Sequence, residues 1–110
     1  MNWKIFNTTN QLEEIISLSF SKPVVIYKHS TRCSLSSMIK SRLEKSVPPQ
    51  EIDFYFLDII QYRSLSNQIA HQFGVTHESP QVLLISQGNC TFHESHYAIR
   101  MEDLQQQMAQ

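Results

Sequence analysis

The run Pro23-Val24-Val25-Ile26-Tyr27-Lys28 constrains the fold more than any other stretch of this chain. It is rich in β-branched residues and does not alternate apolar with polar positions, which suits a strand buried on both faces. Such a strand lies at the centre of a sheet, with helices covering it above and below. The flanking segments supply them. Leu12, Ile15, Ile16 and Phe20 recur at helical spacing before it. After it, Leu35, Met38, Ile39, Arg42 and Leu43 mark a second helix, clearest from Met38 to Lys45, which Val47-Pro48-Pro49 stops.

The other segments fill out the pattern. Trp3-Lys4-Ile5-Phe6 reads as a short strand ended by Asn7-Thr8-Thr9-Asn10. Glu51 to Asp58 is aromatic-rich and reads as a third strand, and Leu65, Ile69, Ala70 and Phe73 carry a helical period closed by Gly74. Gln81 to Ile85 follows Pro80, Gly88-Asn89 breaks the chain, and Cys90 to Tyr97 resumes in extended form, which predicts a hairpin. A short polar helix from Met101 to Met108 completes the chain, with Met101, Leu104 and Met108 on one stripe. The order β-α-β-α-β-α-β-β-α needs crossover connections early and a hairpin late, and so predicts an α/β fold with a mixed central sheet and helices on both faces. This is the element order of the thioredoxin-like fold. At 110 residues, with neither repeat nor linker, the chain is read as one domain spanning 1–110.

Charge excludes some function classes. The formal net charge is −1, and the nine lysines and arginines are scattered, so neither nucleic acid nor a membrane surface is an expected partner. No stretch approaches the roughly 18 apolar residues of a membrane span, and no signal-peptide pattern opens the chain. The expected compartment is the cytoplasm, where the two cysteines, Cys33 and Cys90, stay thiols.

One of these thiols sits at a telling place. Thr31-Arg32-Cys33-Ser34-Leu35-Ser36 joins the central strand to its following helix, with the hydroxyl of Ser36 where a second thiol would complete a Cys-x-x-Cys pair. The thiolate is the reactive species, and a helix N-terminus or nearby cations lower a cysteine pKa from roughly 8.5 to between about 3.5 and 7.5. The unpaired amides of Ser34, Leu35 and Ser36 are expected to face the sulfur, and Arg32, with Lys28 and His29 at the strand end, supplies positive charge whose direction the sequence does not fix. Ser36 can donate to a thiolate but cannot attack a sulfur. Ser79-Pro80 precedes the fourth strand, where this fold places a cis-proline facing the nucleophilic turn, with the Ser79 amide offered to an extended substrate backbone. A competing reading makes Cys33 a small apolar filler, Ser34, Ser36 and Ser37 helix caps, and Pro80 an ordinary trans residue opening a strand.

Several blocks then resemble a known family. Lys28-His29-Ser30-Thr31-Arg32-Cys33, Asp53 to Asp58, Ser66-Asn67-Gln68-Ile69-Ala70, Phe73-Gly74-Val75, His77-Glu78-Ser79-Pro80-Gln81 and His93-Glu94-Ser95-His96 are similar to the YtxJ-like monothiol bacilliredoxins, in the family's order. The resemblance implies a thioredoxin-fold enzyme that removes the low-molecular-weight thiol bacillithiol from protein cysteines. On these positions it implies Cys33 as the attacking thiol, Thr31 and Arg32 as its turn, and Ser79-Pro80 as the substrate-side loop. The family usually has proline directly after the cysteine; here Ser34 stands there and returns an N–H to the turn.

The expectation is a monothiol thiol-disulfide oxidoreductase acting through Cys33, with Thr31, Arg32, Ser34, Ser36, Ser79 and Pro80 around its substrate. No tightly bound cofactor and no metal are expected; bacillithiol or another small thiol serves as co-substrate, and S-thiolated proteins and a recycling reductase are the expected partners. The alternatives are an iron–sulfur cluster carrier of the monothiol glutaredoxin type, which generally has glycine after the cysteine, and a binding module with an inert Cys33. Cys90-x-x-His93-x-x-His96 invites a zinc reading. Strand alternation, however, puts Cys90 and His96 on one face and His93 on the other, so these histidines are read as half-buried strand residues. A resolving role for Cys90 needs Cα atoms within about 7 Å of Cys33, and the edge hairpin of this fold lies far from that turn. His29 is read as a strand-end residue holding the turn, His71, Glu78 and Glu13-Glu14 as solvated surface, and Phe54-Tyr55-Phe56 as sheet core.

Overall fold

The computed structural model describes residues 1–49 and 51–109. Five strands, β1 (Trp3–Ile5), β2 (Val24–His29), β3 (Asp53–Asp58), β4 (Gln81–Ser86) and β5 (Asn89–Ser95), form one sheet in the order β1-β3-β2-β4-β5. β1 and β2 run parallel to β3, β4 is antiparallel to β2, and β5 is antiparallel to β4. The helices are α1 (Thr9–Leu18), α2 (Ser34–Lys45), α3 (Arg63–Phe73) and α4 (Met101–Met108), with a 3-10 turn at His96–Ala98. The mixed α/β sheet is the one the element order predicts.

β2 is central and buried over its whole length. Its side chains alternate between two cores. Val24 and Ile26 join Leu12 and Ile15 of α1 and Leu65 and Ile69 of α3 on one face. Val25 and Tyr27 join Ile39 and Leu43 of α2 and Met101 and Leu104 of α4 on the other. The same parity places Lys28 on the α3 face and His29 on the α2 face.

Local chemistry sets the ends of the elements. Thr8 caps α1 in a capping box, its side chain accepting from the Gln11 amide while the Gln11 side chain accepts from the Thr8 amide at 3.0 Å. That helix stops at Leu18, short of the predicted stripe. Phe20 leaves it, lies 57% exposed, and packs its ring over Gly88. α3 ends as predicted at Gly74, whose φ of 64° lets Val75 N–H reach the Ala70 carbonyl at 3.1 Å. The β4–β5 turn is centred on Gln87 and Gly88, with φ of 54° and 80°, the paired positive values of a type I′ hairpin.

β5 departs most from expectation. Ile85 pairs with Cys90 but Leu84 with Phe92, so Thr91 is an extra residue in the ladder, a β-bulge. The bulge resets the alternation. Cys90 and His93, opposite Ile85 and Leu83, share a face. The strand then ends at Ser95 instead of Tyr97, because His96 takes a φ of 59° and opens the 3-10 turn. His93 and His96 are both exposed, not half-buried. Arg42 of α2 holds this turn by donating to the carbonyls of Tyr97 and Ile99.

Candidate active site

Cys33 is the N-cap residue of α2, partly buried, with extended backbone angles. Its sulfur closes no capping hydrogen bond of full geometry, and no serine caps the helix in its place. The thiol is nevertheless held below its ordinary pKa. The amide of Ser36 is the largest cause, partial burial opposes it, and the Leu35 amide and the Ser36 hydroxyl add to the lowering. These are the orphan donors of a helix start, aimed at a site where negative charge can form. The Ser34 amide, the N–H that proline would have removed, is not among these main donors.

Ser36 is fully buried and ties three segments together. Its hydroxyl accepts from Ser30 N–H at 3.3 Å, lies 3.5 Å from the Ser79 hydroxyl, and favours the Cys33 anion. The Ser79–Pro80 bond is cis, and the Pro80 carbonyl accepts from the His96 amide at 2.9 Å. Among the described residues nothing accepts from the Ser79 amide. Cys33, Ser36, Ser79 and Pro80 thus converge. Thr31, Arg32 and Ser34 form an exposed rim, where Arg32 N–H donates to the Ser30 hydroxyl at 3.3 Å.

The nearby positive charge, whose direction the sequence leaves open, is not among the main causes of the thiol's shift. Lys28 faces away. Completely buried, it donates to the Ser66 carbonyl at 3.2 Å and lies 3.3 Å from His77 Nδ1, on the α3 side. Burial, assisted by Arg63, lowers its pKa to about 8. His29 does lie on the α2 side, but burial, with Lys40, lowers its pKa and favours the neutral ring. Cys90 is remote: it pairs with Ile85, which pairs with Val24 at the opposite end of β2 from the nucleophilic turn. Burial raises its pKa, and its Sγ donates to the Phe92 carbonyl at 3.3 Å. Among the described residues no group of three His, Cys, Asp or Glu side chains is placed to hold a metal ion.

Two features escaped the sequence reading. One is Tyr27, whose hydroxyl donates to the Ser36 carbonyl at 2.7 Å beneath the first turn of α2. The other is the Lys28–Ser66–His77 cluster, next to Gln81, whose Oε1 is buried without a partner among the described residues. Strand parity holds the signal for Tyr27, which shares the α2-facing side of β2 with His29. Nothing local marks Lys28 as buried.

Comparison with known proteins agrees with this geometry. The family model described as monothiol bacilliredoxin BrxC matches residues 4–104. A solved structure described as a candidate oxidoreductase with a thioredoxin fold is 30% identical, with a TM-score of 0.84 over 96% of this chain and 92% of that one. The thioredoxin of Malassezia sympodialis superposes with a TM-score of 0.75 at 16% identity, covering 98% of this chain and 89% of that one. The thioredoxin of Fasciola hepatica gives 0.73 at 18% identity, covering 96% of each. The last two establish the fold alone. With the family model matching almost from end to end on a thioredoxin-fold sheet, the chain belongs to the monothiol bacilliredoxins, a family of thiol redox proteins.

Proposed function

We propose that this protein removes a small thiol, bacillithiol or a similar low-molecular-weight thiol, from mixed disulfides on protein cysteines. The observation that carries the reading is one lowered-pKa thiol at a helix start, with a buried hydroxyl at the second position of the pair. The Cys33 thiolate attacks the small-thiol sulfur of a protein mixed disulfide. The protein cysteine leaves as thiolate and takes up a proton, and the small thiol stays bound to Cys33 through a new S–S bond. Ser36 has no sulfur with which to expel it. A second small thiol, as thiolate, attacks the Cys33 adduct, restores the Cys33 thiolate and departs as a symmetrical small-thiol disulfide. A separate reductase returns that disulfide to thiols.

Ser79 and Pro80 form the wall against which the protein substrate lies, with the Ser79 amide offered to its backbone and Thr31, Arg32 and Ser34 at the rim. The chemistry suits a reducing compartment such as the cytoplasm, and no helix among the described residues is long and apolar enough to cross a membrane. The test is to incubate the protein with a bacillithiolated model substrate and follow both by intact mass and peptide mapping. The substrate is expected to lose the small thiol while one adduct mass appears on the Cys33 peptide, and C33S is expected to do neither. A wild-type protein that remains unmodified while the substrate keeps its adduct would overturn the proposal.

A further inference from the structure

The α2-facing side of β2 carries two buried groups that the exchange reaction never touches. Tyr27 is fully buried, and its hydroxyl donates to the Ser36 carbonyl at 2.7 Å. His29, also buried, places Nδ1 3.4 Å from the same hydroxyl oxygen. A phenol has one proton to give. With that proton on the much closer Ser36 carbonyl, the contact to His29 is a hydrogen bond only if Nδ1 is the donor. On that geometry the neutral imidazole is expected to carry its proton on Nδ1, from which it donates to the phenol oxygen.

The surroundings hold this chain in place. Trp3 and Phe56 pack against the two rings, with centroid distances of 5.5 Å from Trp3 to Tyr27 and 5.0 Å from Phe56 to His29. Lys40 and Glu44 of α2, paired at 2.9 Å, and Asp58 at the end of β3 are the charged groups that face it. Glu44 in turn accepts from the Trp3 indole at 2.8 Å.

The first turn of α2 needs a tether. Its N-cap sulfur closes no capping hydrogen bond of full geometry and no proline follows it, so two of the usual devices that fix a helix start are missing. Yet Ser36 must keep its amide and its hydroxyl directed at the sulfur. Its third polar group, the carbonyl, is the one Tyr27 holds. We propose that Tyr27 is a positioning residue for Cys33: its hydroxyl, oriented by His29, anchors Ser36 to the central strand and keeps the donors of the turn aimed at the thiolate. The inference rests on Cys33 being the nucleophile of the proposed exchange, but its test reads the thiol itself.

The variant is Y27F, which retains the ring and its packing and leaves the Ser36 carbonyl its ordinary helical partner. The measurement is the rate of iodoacetamide alkylation at the Cys33 peptide, resolved by mass from Cys90, across pH. The Y27F midpoint is expected to move upward. At a pH below both midpoints the rate falls about three- to tenfold, while the high-pH plateau is unchanged. A folded Y27F with the wild-type profile overturns the proposal. A second measurement needs no variant: the nitrogen-15 spectrum of the wild-type protein is expected to show His29 protonated on Nδ1. An Nε2-protonated ring would overturn the orienting part assigned to His29, since Nδ1 could then no longer donate to the phenol oxygen. A wild-type protein that alkylates readily at low pH but takes no small thiol from a substrate would remove the exchange reading and leave this one standing.

Discussion

Ser36 does at this turn what neither sulfur nor proline does. Its hydroxyl is fully buried, accepts the Ser30 amide, and helps hold the neighbouring thiol below its ordinary pKa. S36A removes both effects at once. The Ser30 N–H loses its acceptor inside the protein, a loss of about 1–2 kcal/mol of stability in chemical denaturation. Because the Ser36 hydroxyl favours the charged form of Cys33, its removal is expected to shift the Cys33 alkylation midpoint upward as well. The position of the thiol and the identity of Ser36 could be read from spacing alone, because a strand-to-helix turn has a short and recognisable grammar. The direction of nearby charge could not. Lys28 is one residue from His29, but a strand turns successive side chains to opposite faces, so the lysine serves Ser66 and His77 and not Cys33. Tyr27 was hidden for a related reason: in sequence it is one more apolar strand residue, and only packing shows where its hydroxyl points.

At the scale of elements, the helices and strands followed from periodicity, and the errors gathered where one residue changes the count. Thr91 is the clearest case. Alternation along β5 predicts opposite faces for Cys90 and His93, whereas the bulge puts them on one. No residue type announces a bulge of this kind, so the parity of everything beyond it was unreadable. Glycine was the better signal. Gly74 closes α3 with a φ of 64°, and a methyl group added there would meet nothing within 4 Å. The whole effect of G74A is therefore backbone strain, expected to lower stability by about 1 kcal/mol without altering the alkylation of Cys33. Urea unfolding and the alkylation profile check the two halves of that statement. Gly88 differs, because its φ of 80° is joined by the Phe20 ring 2.9 Å from the place a Cβ would occupy.

For the molecule as a whole, the most unusual energetic feature is a buried cation with no carboxylate in ion-pairing reach among the described residues. Lys28 has a folded pKa of about 8 against an ordinary value of 10.5, chiefly because burial penalises its charge. Since the folded state holds this proton less tightly, the destabilisation is fully present below pH 8 and is relieved as pH rises through 8 toward 10.5. K28M is accordingly expected to stabilise the protein at neutral pH, by about 2–3 kcal/mol, with the gain shrinking across that window. His77 keeps the Ser66 hydroxyl at 3.0 Å as a partner in that variant. Thermal unfolding of both proteins at pH 7 and pH 10 makes the comparison, and equal gains at the two values would contradict it. The hydroxyl of Ser36 has a different consequence at this scale. A protein with two thiols at such a turn carries a complete two-electron couple in its own chain and has a potential of its own. Here, under the proposed exchange, oxidised Cys33 exists only as a bond to a dissolved partner, and the free partner enters the equilibrium as a reactant. Its effective potential then moves by about 30 mV for each tenfold change in free small thiol. Such a protein responds to how much thiol surrounds it as well as to how reduced that thiol is.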